Sequence, residues 1–220
     1  MEWKSDEELV RLIREELFTA VIGDVLDAHG YMAQFLPPTL APLHPEMMVV
    51  GRAMPVLHMD VDTSNDAYGL LFEALDDLKP GEVYLASGGS QTYALWGELM
   101  TTAAKARGAV GAVIHGCIRD TSGILAMGDF PVFCCGRYGQ DQKGRGQAIA
   151  YRVEIRIGNV LVQPGDMLIG DLDGVVAVPR SVENEVFTDA LLKARTEKTI
   201  KRDLEQGMLA SQAFKKYGIL

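Results

Sequence analysis

Apolar residues near the start of the chain recur at helical spacing. Leu9, Val10, Ile13 and Leu17 stand three or four apart, and Ser5-Asp6-Glu7-Glu8 ahead of them reads as a capping box in which the Ser5 hydroxyl accepts from the Glu8 N–H. This pattern predicts a first helix. Residues 19–26 predict a second, short helix that ends near Gly30, because the LPPTLAP stretch after it holds Pro37 and Pro38, which cannot continue a helix.

From Met48 onward short apolar runs alternate with helical ones: VVGRAMPVL, DAYGLLFEALDDL, EVYLA, WGELMTTAAKARG and AVGAVIHG. That order predicts βαβ units around a mixed or mostly parallel sheet with helices packed on it. RVEIRIGNVLVQPGDMLIGDLDGVVAVP has a different texture. Its alternation, with turns at Gly158-Asn159, Pro164-Gly165-Asp166 and Asp173-Gly174, predicts antiparallel hairpins. Residues 181–206 then read as a long charged helix with Val182, Val186, Ala190, Leu191 and Ala194 on its apolar side. No linker, repeat or low-complexity segment interrupts the chain. The expectation is one α/β domain over residues 1–220, with N-terminal helices in 1–30 and a C-terminal helical extension in 181–220.

Composition narrows the function classes. With 220 residues, 48% of them hydrophobic, the chain is large enough for one sizeable core. A net charge of -9 disfavours nucleic-acid binding, which draws on clustered Lys and Arg. No apolar run is long enough to span a bilayer, and MEWKSDEELV is acidic where a signal segment would be basic. Three cysteines, Cys117, Cys134 and Cys135, make no disulfide framework. A cytoplasmic protein without membrane or nucleic-acid partners is expected.

Two segments carry candidate chemistry. In GGSQTYALWGELMTTAAKARG a helix is predicted over residues 97–107. Its first N–H groups, at Glu98, Leu99 and Met100, lack internal acceptors and could cradle an anion; the alternative is a core helix that merely follows a Gly-rich turn. The strand after it delivers Arg119 and Asp120 at its carboxyl end, where ligands bind in open α/β sheets. Arg offers a planar fork of donors for an enolate or carboxylate oxygen, and Asp offers the hard oxygen that Mg²⁺ or Mn²⁺ prefers; the alternative is a solvated turn. Elsewhere the chemistry is thin. His115 with the cysteines lacks zinc-ligand spacing, no GxSxG elbow occurs, and Gly136, Gly139, Gly144 and Gly146 read as a flexible loop without a nucleotide-binding pattern. Asp171 and Asp173 read as turn formers, and Lys105 as a solvated helix residue.

WGELMTTAAKARGAVGAVIHGCIRDTSGI together with VQPGDMLIGDLDGVVAVP resembles the RraA-like family, over roughly residues 19–179. That family includes 4-hydroxy-4-methyl-2-oxoglutarate / 4-carboxy-4-hydroxy-2-oxoadipate aldolases and the RraA regulators of ribonuclease E. The resemblance implies a β/β/α swivelling domain like the phosphohistidine domain, assembled as a homotrimer or hexamer with sites between neighbours. It also implies a Mg²⁺- or Mn²⁺-dependent class II pyruvate aldolase acting on a 4-hydroxy-2-oxo acid, with oxaloacetate decarboxylase side activity. Carried onto this chain, Asp120 holds the metal, Arg119 contacts the pyruvyl oxygen, and Gly97, Glu98, Leu99 and Met100 form the carboxylate cradle. Asp24 reaches in from a neighbouring subunit, and Asp24 or Glu98 assists the base. The family's R-D-x-x-E/D pattern is broken here, because Gly123 stands at its last position. A non-enzymatic regulator that binds a ribonuclease is the alternative implied.

Overall fold

The structure is a computed structural model that describes residues 3–62 and 68–218. Helices α1 (Asp6–Glu16) and α2 (Thr19–Ala28) open the chain, followed by β1 (Ala41–Pro42) and β2 (Val49–Asp60). The predicted third helix begins at Asp66 and Ala67, which lie outside the described residues; its described part is α3 (Leu71–Asp76). Next come β3 (Glu82–Ser87), β4 (Ala94–Trp96), α4 (Glu98–Ala106), β5 (Gly111–Ile118), α5 (Thr121–Ala126), β6 (Val132–Arg137) and β7 (Gly146–Tyr151). The hairpins are β8 (Ile155–Ile157) with β9 (Val160–Val162) and β10 (Met167–Asp171) with β11 (Gly174–Val178); α6 (Glu183–Glu205) and α7 (Ala210–Tyr217) close the fold.

The main sheet runs β1-β6-β5-β3-β2-β10-β11, with β4 added to β5 and β7 to β2. Its centre, β2, β3, β5 and β6, is parallel, and β1, β7, β10 and β11 join antiparallel. The twelve-residue β2 serves two neighbours along one edge: β10 pairs with residues 49–52 and β7 with residues 56–60. The sheet is nearly closed, since its outer strands β1 and β11 come together. This mixed sheet with flanking helices is the expected β/β/α class.

Both faces of the central strands are buried, which explains why these segments read as continuous apolar runs. In β3, Val83 and Leu85 point to an inner core shared with Val113, Phe133, Leu168 and the β8–β9 hairpin. The alternate residues Tyr84 and Ala86 face a second core with α3, α4 and α5. A third core joins Leu9 and Ile13 of α1, Ile22 of α2 and Phe187 of α6 to Ile169 and Val176. Each such fully buried side chain stabilises the fold by about 1.5–3 kcal/mol.

Local chemistry agrees with the sequence reading in most places. Ser5 Oγ accepts from the Glu8 N–H at 3.3 Å, although the Glu8 carboxylate bonds the N–H of Lys4, at 2.6 Å, and so caps one residue earlier than a capping box requires. Asp171 is more than a turn former. It accepts from the Asp173 N–H at 2.9 Å and also takes both the N–H and the hydroxyl of Thr19, each at 2.7 Å, so it caps α2 from the sheet. The glycine-rich loop needs correction: Gly136 lies within β6 and Gly146 opens β7, because VFCC extends the parallel sheet and β7 finds its partner in the distant β2. In RVEIRI only Ile155–Ile157 forms a strand, since Arg152 adopts φ 53° and turns the chain. Among the described residues no helix is long and apolar enough to cross a membrane.

Arg52 of β2 fastens the N- and C-terminal helices to the sheet. It donates to Asp6 at 2.7 and 2.8 Å, to Gly165 O at 3.2 Å, and through both Nη atoms to Glu183, the first residue of α6. Its side chain and that of Glu183 are each only 12% exposed. Arg52→Met is therefore expected to cost about 2–4 kcal/mol in urea unfolding, because Glu183 is left half-buried without its partner, and adding Glu183→Gln should restore part of the loss. A second expectation concerns His58 on β2. Burial lowers its pKa to about 4, a shift that the Gln142 side chain partly opposes. The unfolded chain takes up this proton below about pH 6.5 and the folded chain does not, so stability falls with pH between those values. Between pH 7 and 5 the parent should lose about 2 kcal/mol more than His58→Leu in the same unfolding assay.

Candidate active site

Strand β4 assembles the site. It pairs in parallel with β5, Ala94 opposite Cys117 and Trp96 opposite Ile118, and the Arg119 N–H donates to Trp96 O at 2.9 Å. The two chains therefore leave the sheet side by side, one as Gly97 and the other as Arg119-Asp120. A Cβ on Gly97 would stand 2.8 Å from Asp120 Oδ2 and 3.3 Å from Arg119 Cγ. Gly97 has extended backbone, so glycine is needed here for space rather than for conformation. The same strand brings in a third segment, since the Ala94 N–H donates to Gln140 O at 2.8 Å and Ala94 bridges to Asp141.

The start of α4 is held from beneath. Trp96 Nε1 donates to Thr101 Oγ1 at 2.7 Å, and that hydroxyl donates to Gly97 O at 3.0 Å. The Trp96 ring lies 4.8 Å from Tyr84 and 6.4 Å from Phe130, centroid to centroid. Thr101 is the first residue whose N–H bonds back into the helix, to Gly97 O at 3.0 Å. The N–H groups of Glu98, Leu99 and Met100 precede it and have no acceptor within α4. Backbone donors thus lie beside a guanidinium and a carboxylate.

Asp120 sits at φ 55°, ψ 33°, a left-handed conformation that costs a side-chain-bearing residue about 1 kcal/mol or more and that Asp tolerates better than most. It turns the chain from β5 into α5, and its carbonyl accepts from the Ile124 N–H at 3.1 Å. Arg119 stands between two carboxylates, with Nε 3.7 Å from Asp120 Oδ2 and Nη2 3.7 Å from Asp141 Oδ1. Neither contact is within hydrogen-bonding reach, so the guanidinium is oriented by charge while its donors stay available. Asp141 is itself held by the Tyr68 hydroxyl, which donates to Oδ2 at 3.0 Å. Burial, then the bond to Asp141, raises the Tyr68 pKa and keeps it a donor.

These groups line one cavity of about 220 Å³, together with Phe72, Leu99 and Met100. Gly97, Leu99, Met100, Arg119 and Asp120 meet there as the sequence reading expects. Glu98 stands at the edge and its carboxylate turns to α5, where a Cβ on Gly123 would come within 2.0 Å of Oε2. A carboxylate does occupy the space in front of position 123, but it belongs to Glu98. Asp24 is not brought there within the chain; it is exposed on α2 and pairs with Lys193 of α6 at 3.0 Å. Asp141 and Tyr68 were missed, because only tertiary bridges bring them to Arg119, that of Asp141 to Ala94 of β4 and that of the Tyr68 segment, through Gly69, to Ala148 of β7.

Other candidates stand apart. His115 Nδ1 meets Ser87 Oγ at 3.1 Å, and burial lowers its pKa. Burial raises the Cys117 thiol and pushes Cys134 up to about 11, so both are protonated at neutral pH. A larger cleft, about 870 Å³, lies toward the far end of α4 and contains Lys105, whose ammonium is tied to Asp129. It brings together none of the groups with matched chemistry. Among the described residues no three His, Cys, Asp or Glu converge as a metal cage. The donor set at Asp120 is instead one hard, partly exposed carboxylate on the cavity lining, the ligand type that suits a Mg²⁺-like ion that keeps most of its waters.

Comparison with known proteins shows the family. A relative from Halalkalibacterium halodurans, provisionally named 4-hydroxy-4-methyl-2-oxoglutarate aldolase, is 32% identical over 89% of this chain and 89% of its own. Protein DlpA of Legionella pneumophila is 28% identical over 90% of this chain, which spans only 32% of that longer protein. Among solved structures, an uncharacterized protein from Pseudomonas syringae superposes with TM-score 0.87 at 29% identity, covering 99% of this chain and 97% of its own. Streptomyces coelicolor RraAS2, described as an unusual member of the RNase ES inhibitor RraA protein family, superposes with TM-score 0.82 at 26% identity, covering 91% and 100%. The family model described as Aldolase/RraA matches residues 19–177, a span that contains β4, the start of α4 and the Arg119-Asp120 turn, and the chain belongs to the RraA-like family.

Proposed function

We propose that the protein is a divalent-metal-dependent lyase that cleaves a 4-hydroxy-2-oxo acid to pyruvate and an oxo acid. The observation that carries this reading is the meeting of a helix start, the Arg119 guanidinium and the Asp120 carboxylate in one cavity, since those three groups match the three needs of an enolate-forming reaction. The N–H groups of Leu99 and Met100 bind the substrate carboxylate and fix its plane. Arg119 faces the 2-oxo oxygen, where negative charge develops. Asp120 would hold Mg²⁺ or Mn²⁺, which supplies Lewis-acid polarisation of the 2-oxo group when bound.

A base removes the proton of the 4-hydroxyl, and as the C4 oxygen becomes a carbonyl the C3–C4 bond breaks. Its electron pair passes to C3 and the 2-oxo oxygen, giving the pyruvate enolate beside Arg119, which a proton at C3 then converts to pyruvate. Glu98, or Asp24 of a partner subunit, would assist that base; the Glu98 carboxylate is turned to α5 and would have to swing into the cavity to do so. The second assignment belongs with a homotrimer or hexamer whose sites lie between subunits, and the exposed Asp24 on α2 is compatible with it. Loss of CO₂ from oxaloacetate leads to the same enolate, so that side activity is part of the proposal.

The direct test is pyruvate release from a panel of 4-hydroxy-2-oxo acids and oxaloacetate with Mg²⁺, with and without chelator, alongside exchange of the pyruvate methyl protons in D₂O. Turnover that chelator abolishes is expected, with Asp120→Ala lowering kcat at least about 100-fold. Activity unchanged by that substitution contradicts the metal role, and a folded chain inactive on every substrate favours the regulator reading, in line with the likeness to RraAS2. Gly97→Ala tests the cradle. Its methyl group intrudes on Asp120 Oδ2, so kcat/KM should fall about 10-fold or more while the unfolding midpoint shifts little.

A further inference from the structure

The proposed cleavage needs a group that accepts the 4-hydroxyl proton, and the cavity restricts the choice. Among its described lining residues the titratable side chains are Tyr68, Arg119, Asp120 and Asp141. Arg119 offers no acceptor, and Tyr68 already donates its proton to Asp141. Asp120 is assigned to the metal. Glu98 turns its carboxylate to α5, and Asp24 pairs with Lys193 of α6. Asp141 is left.

Its two oxygens have different surroundings. Oδ2 accepts from the Tyr68 hydroxyl at 3.0 Å, which fixes the carboxylate. Among the described residues Oδ1 accepts no hydrogen bond; it lies 3.7 Å from Arg119 Nη2, and the Asp141 side chain is 30% exposed. In a 4-hydroxy-2-oxo acid the two oxygens stand on carbons separated by one, so both can face the same side of the molecule within hydrogen-bonding distance of each other. With the 2-oxo oxygen at Arg119, the 4-hydroxyl therefore comes within reach of the carboxylate that already flanks that guanidinium.

We infer that Asp141 is the catalytic base: its Oδ1 takes the 4-hydroxyl proton as the C3–C4 bond breaks, and the same carboxyl group then gives that proton to C3 of the enolate, so that no proton is gained or lost over the cycle. Tyr68 is a positioning residue that aims the carboxylate. This inference rests on the pyruvate-lyase reading. Negative charge leaves Asp141 as it appears on the 2-oxo oxygen, and both groups face the same Arg119 guanidinium, which needs no rearrangement to serve first one and then the other.

Oxaloacetate provides the internal control, because loss of CO₂ yields the same enolate with no hydroxyl proton to remove. With Mg²⁺ present, Asp141→Asn is expected to lower kcat for cleavage of 4-hydroxy-4-methyl-2-oxoglutarate at least about 100-fold and oxaloacetate decarboxylation less than about 5-fold. Calorimetric Kd for pyruvate with Mg²⁺, which a misplaced Arg119 would weaken, should also change less than about 5-fold. Tyr68→Phe keeps the base and loses its anchor, so cleavage should fall about 3- to 10-fold, again more than decarboxylation. Cleavage by Asp141→Asn within about 3-fold of the parent overturns the inference. So do losses of cleavage, decarboxylation and pyruvate binding that run in step in either folded variant, since they mean that Asp141 only orients Arg119. Failure of the underlying reading looks different: the parent itself would release no pyruvate from either acid.

Discussion

The candidate site depends on one short piece of parallel pairing. The bond from the Arg119 N–H to Trp96 O locks the exit of β4 to the exit of β5, and every functional group is placed relative to that bond. Gly97 follows Trp96 by one residue and Asp120 follows Arg119 by one, so the helix start and the carboxylate must approach each other within a methyl group's width. The Trp96–Thr101–Gly97 chain of hydrogen bonds makes this approach rigid, because rotating α4 would strand a buried indole N–H. Rigid placement suits a site whose donors must be aimed before charge develops.

Charge in the site is balanced by geometry rather than by contact. Arg119 is flanked by carboxylates on both sides at 3.7 Å, near enough to orient it and far enough to leave its N–H groups for a ligand. The glutamate that begins α4 turns away from the cavity into room left by Gly123. The Glu98 carboxylate thus takes the room that a side chain at position 123 would occupy, and it comes from α4 rather than α5.

Much of this was legible in the chain. The apolar runs of β2, β3 and β5, the amphipathic α1 and α6, and the hairpins marked by Gly158-Asn159 and Asp173-Gly174 follow from local periodicity and turn chemistry. The Gly97 cradle and the Arg119-Asp120 pair were readable because a helix start and a strand end are local events. What was not legible depends on tertiary pairing. β4 is three residues long and has no period of its own, α5 carries Gly123 inside a six-residue helix, and β7 was hidden in a glycine-rich stretch whose partner lies ninety residues earlier in the chain. Asp141 and Tyr68 became visible only when β4 carried the Asp141 loop to Arg119 and β7 held the Tyr68 segment beside it.

The central claim is that the first N–H groups of α4 and the Arg119 guanidinium grip the two ends of one pyruvyl unit. A crystal structure of the protein soaked with pyruvate and Mg²⁺ tests it most directly. The account predicts the pyruvate carboxylate within hydrogen-bonding distance of the Leu99 and Met100 N–H groups and the 2-oxo oxygen turned to Arg119. Pyruvate bound in the larger cleft near Lys105, or an Arg119 that stays with Asp141 and ignores the ligand, would contradict it.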